Sequence, residues 1–183
     1  MNLSDRVRRV RPSPTLAVTA KAAELRAAGR DIISLGAGEP DFGTPSHIGE
    51  AGIQAIRDGF TRYTAVEGIV ELRQAIVDKL EADQGLEYGL DQVIVSTGGK
   101  QSIFNLCQAL LNPGDEAVIT APYWVSYPDM VRLAGGEPVI VSAGQDQGFT
   151  MSPRQLAAAI TDKTRLVMLN SPSNPTGVAY TRE

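Results

Sequence analysis

The sequence predicts an α/β fold built on a doubly wound, mainly parallel sheet. From Val93 onward, short β-branched runs alternate with segments of helical spacing, and glycine or proline turns separate them. That alternation is the pattern of successive βαβ units. The expected strands are Val93 to Ser96, Glu116 to Thr120, Glu137 to Ser142 and Arg165 to Asn170; the expected helices are Lys100 to Leu111, Tyr127 to Leu133 and Pro153 to Ile160. Asn112-Pro-Gly-Asp115 and Gly135-Gly136 close the helices, and Ser152-Pro153 opens the last one.

Ahead of this region the signals are mainly helical. Ser13 or Pro14 starts a helix that runs through Leu25 and stops at Gly29, a left-handed cap position. Ile32 to Leu35 reads as a short strand, and Gly36 to Gly43 as a turn-rich loop in which Gly38 permits close approach of a ligand to backbone. Thr44 is the expected cap and Pro45 the first residue of a helix carrying Ile48, Ile53 and Ile56 and ending at Gly59. The polar stretch Thr61 to Gly68 contains Tyr63, and a helix through Leu72, Ile76 and Leu80 follows.

Composition narrows the chemistry. With 183 residues, 43% of them hydrophobic, the chain has material for one core of ordinary size. A net charge of -4 argues against nucleic acid as a partner; no apolar run reaches membrane-spanning length, and no secretory signal is visible, so the expected location is the cytoplasm. Arg6, Arg8, Arg9 and Arg11 are expected to form a solvated basic arm. Cys107 is the sole cysteine, in line with Ile103, Leu106 and Leu110, and is expected to pack in the core. His47, the sole histidine, falls in an exposed first helical turn. A histidine-based metal site and a Ser-His-Asp triad are therefore disfavoured, and no metal is expected.

The stretch Val93 to Leu106 joins an expected strand to a helix start through Gly98-Gly99. Helix starts leave N–H groups unpaired at the positive end of the helix dipole, which suits a phosphate or a carboxylate. A Walker loop does not fit, because Gln101 stands where Ser or Thr must follow the lysine. Nor does a dinucleotide fingerprint, since Ile103 replaces its third glycine and Thr120-Ala121 its acidic residue. Taken alone, the glycine pair is equally a plain βα turn. In a doubly wound sheet, ligands bind outside the carboxyl ends of the strands, where Gly98-Gly99, Pro122-Tyr-Trp124 and Ser171 to Gly177 all fall.

Five motifs in order carry a family resemblance: Gly36-Ala-Gly-Glu-Pro-Asp-Phe42, Tyr63 with Gly68 and Glu71-Leu-Arg73, Gly98-Gly-Lys-Gln101, Pro122-Tyr-Trp-Val-Ser-Tyr127, and Asn170-Ser-Pro-Ser-Asn-Pro-Thr-Gly177. Together they resemble the front part of a class I aminotransferase dependent on pyridoxal 5'-phosphate, close to the prokaryotic aspartate aminotransferases. The resemblance implies a truncated large domain of the aspartate aminotransferase-like fold. Residues 1–45 would form an N-terminal arm and part of the small domain, and residues 46–183 an incomplete cofactor-binding large domain.

For the site, the resemblance implies that the backbone at Gly99, Lys100 and Gln101 holds the cofactor's phosphate and that the Trp124 indole lies against its ring. Asn174 would donate to the phenolic oxygen. Gly38, with Trp124 and Asn174, would meet the substrate, and Tyr63 would reach the phosphate of a neighbouring subunit in a homodimer. No catalytic residue is assigned, because the family's Schiff-base lysine is expected beyond Glu183; none of Lys21, Lys79, Lys100 and Lys163 lies in a motif like the one around it. The implied reaction is transfer of an amino group between an amino acid, aspartate foremost, and a 2-oxo acid. A lyase or synthase of the same fold, or an inactive fragment with poor solubility, are the alternatives.

Overall fold

The strand β1 (Glu116–Ala121) is the middle of a three-stranded sheet, and its alanine and β-branched residues explain why. Ala117, Val118 and Ile119 are fully buried, so both faces of this strand are covered, as a central parallel strand requires. β2 (Glu137–Ser142) pairs with it in parallel on one side, Val118 opposite Val139, and β3 (Thr164–Met168) on the other, Val118 opposite Val167. The register slips once between Glu116 and Ala117, leaving Arg165 as the extra residue of β3; its guanidinium reaches Asp115 at 3.5 Å. The computed structural model describes residues 2–10, 12–36 and 38–182. Arg11 of the basic arm and Ala37 of the glycine loop thus lie outside the described residues.

Packing divides the chain into two compact units, Met1–Ile32 with Gly99–Glu183, and Ile33–Gly98. The sheet belongs to the first. There α5 (Gly99–Leu110) leads through the turn at Asn112 to Asp115 into β1, α6 (Tyr127–Leu133) links β1 to β2, and α7 (Pro153–Ala159) links β2 to β3. Cys107 and Leu111 beside α5 and β1, Ala117 and Ile119 of β1, and Met130 and Val131 of α6 form one buried cluster. The core role expected for Cys107 follows, and burial pushes its thiol up, away from nucleophilic use. Ser152 caps α7 reciprocally: its Oγ accepts from the Gln155 amide, while Gln155 Oε1 accepts from the Ser152 amide. Gln155 Nε2 also donates to the Ser142 carbonyl, tying α7 to the end of β2.

Two helices precede this region in the same unit. α1 (Asp5–Arg8) is a single turn in the exposed basic arm, which the sequence pattern does not foretell. α2 (Pro14–Ala27) starts where Ser13 Oγ accepts from the Leu16 amide and is followed by Gly29 at φ +79°. The expected start and stop both hold.

The second unit holds α3 (Ser46–Arg57) and α4 (Val70–Gln84), with a single 3-10 turn at Leu90–Gln92. Pro45, not Thr44, is the cap of α3: the Pro45 carbonyl accepts from the Ile48 and Gly49 amides, and no side chain caps the start. Arg73 of α4 donates to the Leu90 carbonyl, fixing the 3-10 turn against that helix. Gly68 has φ +102°, and an added Cβ would fall 2.8 Å from Val95, so both backbone and space demand glycine there.

Two expected strands are absent among the described residues. Ile32 to Leu35 and Val93 to Ser96 are not in a ladder. Their β-branched residues favour extended backbone, but a strand also needs a neighbour; the Val95 amide finds only the Glu67 carbonyl, a single link.

Replacing Ile119 by Ala should lower stability by about 2–5 kcal/mol, the usual cost of a large-to-small change in a closed core, read as a lower unfolding midpoint. A pH effect is expected at Asp115. Its carboxylate accepts from the Asn112 backbone amide at 2.8 Å and from the Asn112 side chain, with Arg165 nearby, and these contacts hold its pKa below the usual range. A depressed carboxylate pKa adds stability above about pH 4, lost as pH falls through the folded-state value. Asp115→Asn should therefore melt below the parent at neutral pH, and the gap should close in acid.

Candidate active-site rim

Because all three strands are parallel, their carboxyl ends share one edge of the sheet. Trp124 follows the end of β1, and Asn174 follows the end of β3. Helix α5 enters β1 from the opposite edge, so it runs back along the sheet. Its 12 residues span about 18 Å and the six of β1 about 20 Å, which brings the helix start level with the strand ends. Chain direction and element length thus bring the α5 start and the loops that follow β1 and β3 to the same edge of the sheet.

The contacts agree. Lys100 Nζ lies 5.0 Å from the centroid of the Trp124 ring, a cation–π distance that joins the helix start to the loop after β1. Gly98 takes φ +85° at the turn into α5, and the first turn of that helix holds no acidic residue. Trp124 meets Tyr127 edge to face, with centroids 5.4 Å apart and planes at 84°. Both rings pack against the buried cluster, which stiffens the loop. Burial pushes the Tyr127 hydroxyl up, so it stays protonated at neutral pH.

An open recess of about 20 Å³, room for roughly one water, lies at this edge. Tyr123, Tyr127, Phe149, Asn170, Asn174 and Tyr180 are among its walls. Asn170 and Tyr180 gain significance only here, although Asn170 opens a motif already visible in the sequence. Its place four residues before Asn174 was the available signal. Tyr180 has no such mark; its partner Met151 is 29 residues away. Gly38 and Tyr63 belong to the other unit, where Tyr63 is fully exposed. His47 is exposed, and no group of three or more His, Cys, Asp or Glu placed to hold a metal occurs among the described residues.

The rim of this parallel sheet carries a helix start free of acid, an indole near a lysine ammonium and the exposed Asn174. Comparison with known proteins gives the class. The family model for aminotransferase class I and II matches residues 30–183, and the chain belongs to that family. It is 62% identical over 180 residues to the aspartate/prephenate aminotransferase of Cereibacter sphaeroides, covering 98% of the chain and 45% of that protein. With the aspartate aminotransferase of Bacillus subtilis it shares 52% over 183 residues, covering 47% of the relative. The fold superposes on the aspartate aminotransferase of Thermus thermophilus crystallised with maleate at a TM-score of 0.95 and 48% identity, covering the whole chain and 48% of that structure. The aspartate aminotransferase-like large-domain fold is therefore established, and the chain spans about half the length of the curated relatives it matches.

Trp124 is the sole tryptophan of this sequence, so its tryptophan emission, excited apart from the tyrosines, reports on this rim. Lys100→Gln removes a contact worth about 0.5–1 kcal/mol at an exposed site. It should shift the emission and make the indole easier to quench with acrylamide, whereas Lys100→Arg should stay near the parent.

Proposed function

We propose that this chain supplies the phosphate- and ring-binding half of an active site for pyridoxal 5'-phosphate, in an enzyme that transfers an amino group between an amino acid and a 2-oxo acid. The observation that supports this is the contact of Lys100 at the α5 start with Trp124 after β1, on the sheet edge where Asn174 follows β3. The residues suit each part of the group: backbone N–H and Lys100 for a phosphate, a flat indole for a ring, a carboxamide for an oxygen. Names of the relatives support aspartate, and for some also prephenate, on the substrate side.

In this reading Gly99, Lys100 and Gln101 grip the phosphate, with the helix dipole and the Lys100 ammonium both favouring the dianion. Trp124 fixes the tilt of the ring and keeps water from one face. Asn174 donates an N–H to the phenolic oxygen, holding it in the ionised form. Gly38 meets the substrate carboxylate through backbone, and Tyr63 serves the phosphate of a second subunit, so the working unit is a homodimer in the cytoplasm. Residues 1–45 belong with the small domain of the complete enzyme and residues 46–183 with its large domain. When bound, the cofactor supplies an electron sink for negative charge at the substrate's α-carbon.

The test is a titration of the complete protein with pyridoxal phosphate, followed by the ligand's absorbance. Trp124→Ala should weaken binding roughly fivefold to tenfold, the worth of one aromatic stack, and Trp124→Phe much less. Equal affinity in Trp124→Ala and the parent would remove the indole from the site.

A further inference from the structure

The loop that carries Asn174 is folded back on itself. The Ser173 amide donates to the Val178 carbonyl at 2.8 Å, and the Gly177 amide to the Ser173 carbonyl at 2.7 Å. These bonds shape the loop but do not aim it. Two side chains do. Asn170 Oδ1 accepts from the Asn174 backbone amide at 2.8 Å, so the second residue after β3 bonds directly to the Asn174 backbone. At the other end the Tyr180 hydroxyl accepts from the Met151 amide at 2.9 Å, while the Tyr180 amide donates to Ser171 Oγ at 3.0 Å. Met151 is itself buried, and its sulfur accepts from the Thr120 hydroxyl of β1 at 3.7 Å. A path of contacts thus runs from the central strand through Met151 and Tyr180 to the loop, and both Asn170 and Tyr180 line the same recess as Asn174.

We infer that Asn170 and Tyr180 are positioning residues, which hold the Asn174 carboxamide at the rim by clamping its loop at both ends. The role rests on the cofactor reading above, since the clamp is useful only if Asn174 has a ligand atom to meet. These bonds fix the backbone that carries the Asn174 side chain, and losing either should loosen that loop without touching the helix start or Trp124.

Two readouts on the complete protein test this. In the cofactor-free protein, hydrogen exchange of the segment 170–181 should speed up about tenfold in Asn170→Ala and in Tyr180→Phe, the change expected when one net hydrogen bond is lost, while β3 is unaltered. Asn170→Asp keeps the acceptor and should restore protection. In the loaded protein, Asn174→Ala should raise the pH at which the bound cofactor's absorbance changes, and Asn170→Ala should move it the same way by less. Exchange that stays at the parent rate in both variants overturns the clamp. So does faster exchange with an unmoved pH profile where Asn174→Ala does move it. If Asn174→Ala itself leaves the profile in place, the functional role of Asn174 fails instead, and exchange alone decides whether Asn170 and Tyr180 hold the loop.

Discussion

Everything at the rim depends on the parallel pairing of β1 with a neighbour on each side. A parallel ladder forces each connection to return across the sheet, so every strand ends at the same edge and every following loop opens there. Antiparallel pairing of β3 would send Asn174 to the opposite edge from Trp124. The pairing is held by burial as much as by hydrogen bonds: Ala117, Val118 and Ile119 are covered on both faces, and a slip of one residue would break the match with Val139 and Val167.

The helix α5 adds the second constraint. Its apolar side packs Cys107 and neighbouring Leu111 on the sheet, which fixes the axis, and the short turn at Asn112 to Asp115 fixes where the axis begins along β1. Helix length then sets the height of Gly99. A helix one turn shorter would retract its start by about 5.4 Å, more than the reach of a hydrogen bond. Lys100 would leave the Trp124 ring by the same shift.

The sheet strands, the helices between them and the capping at Ser152 were legible in the sequence, because period, glycine and proline are local signals. Val93 to Ser96 shows the limit of such signals: its β-branched run specifies extended backbone but cannot supply a ladder partner. The start of α3 failed by one residue, since a proline can serve as the boundary residue as well as the first helical one. At the rim, the motifs holding Lys100, Trp124 and Asn174 were readable, and chain direction explains why the loops that carry them open at one edge. Tyr180 was not, because its tie to Met151 joins residues distant in sequence and neither type announces the pairing.

Charge presents an apparent conflict that distance resolves. The chain carries a net charge of -4, which disfavours approach of an anion from afar. At physiological salt that repulsion is screened beyond about 8 Å, so net charge counts for less at the rim than the groups beside it. What acts there is local: the positive end of α5, with no acidic residue in its first turn, and Lys100 above the indole. Backbone donors oriented by a packed helix need no reorganisation to meet a phosphate, whereas a mobile lysine must be ordered first. The Trp124 ring does part of that ordering by holding the ammonium beside the helix start. In the proposed function, an anion attached to a flat ring is the ligand suited to engage the helix tip, the aromatic loop and the carboxamide loop together.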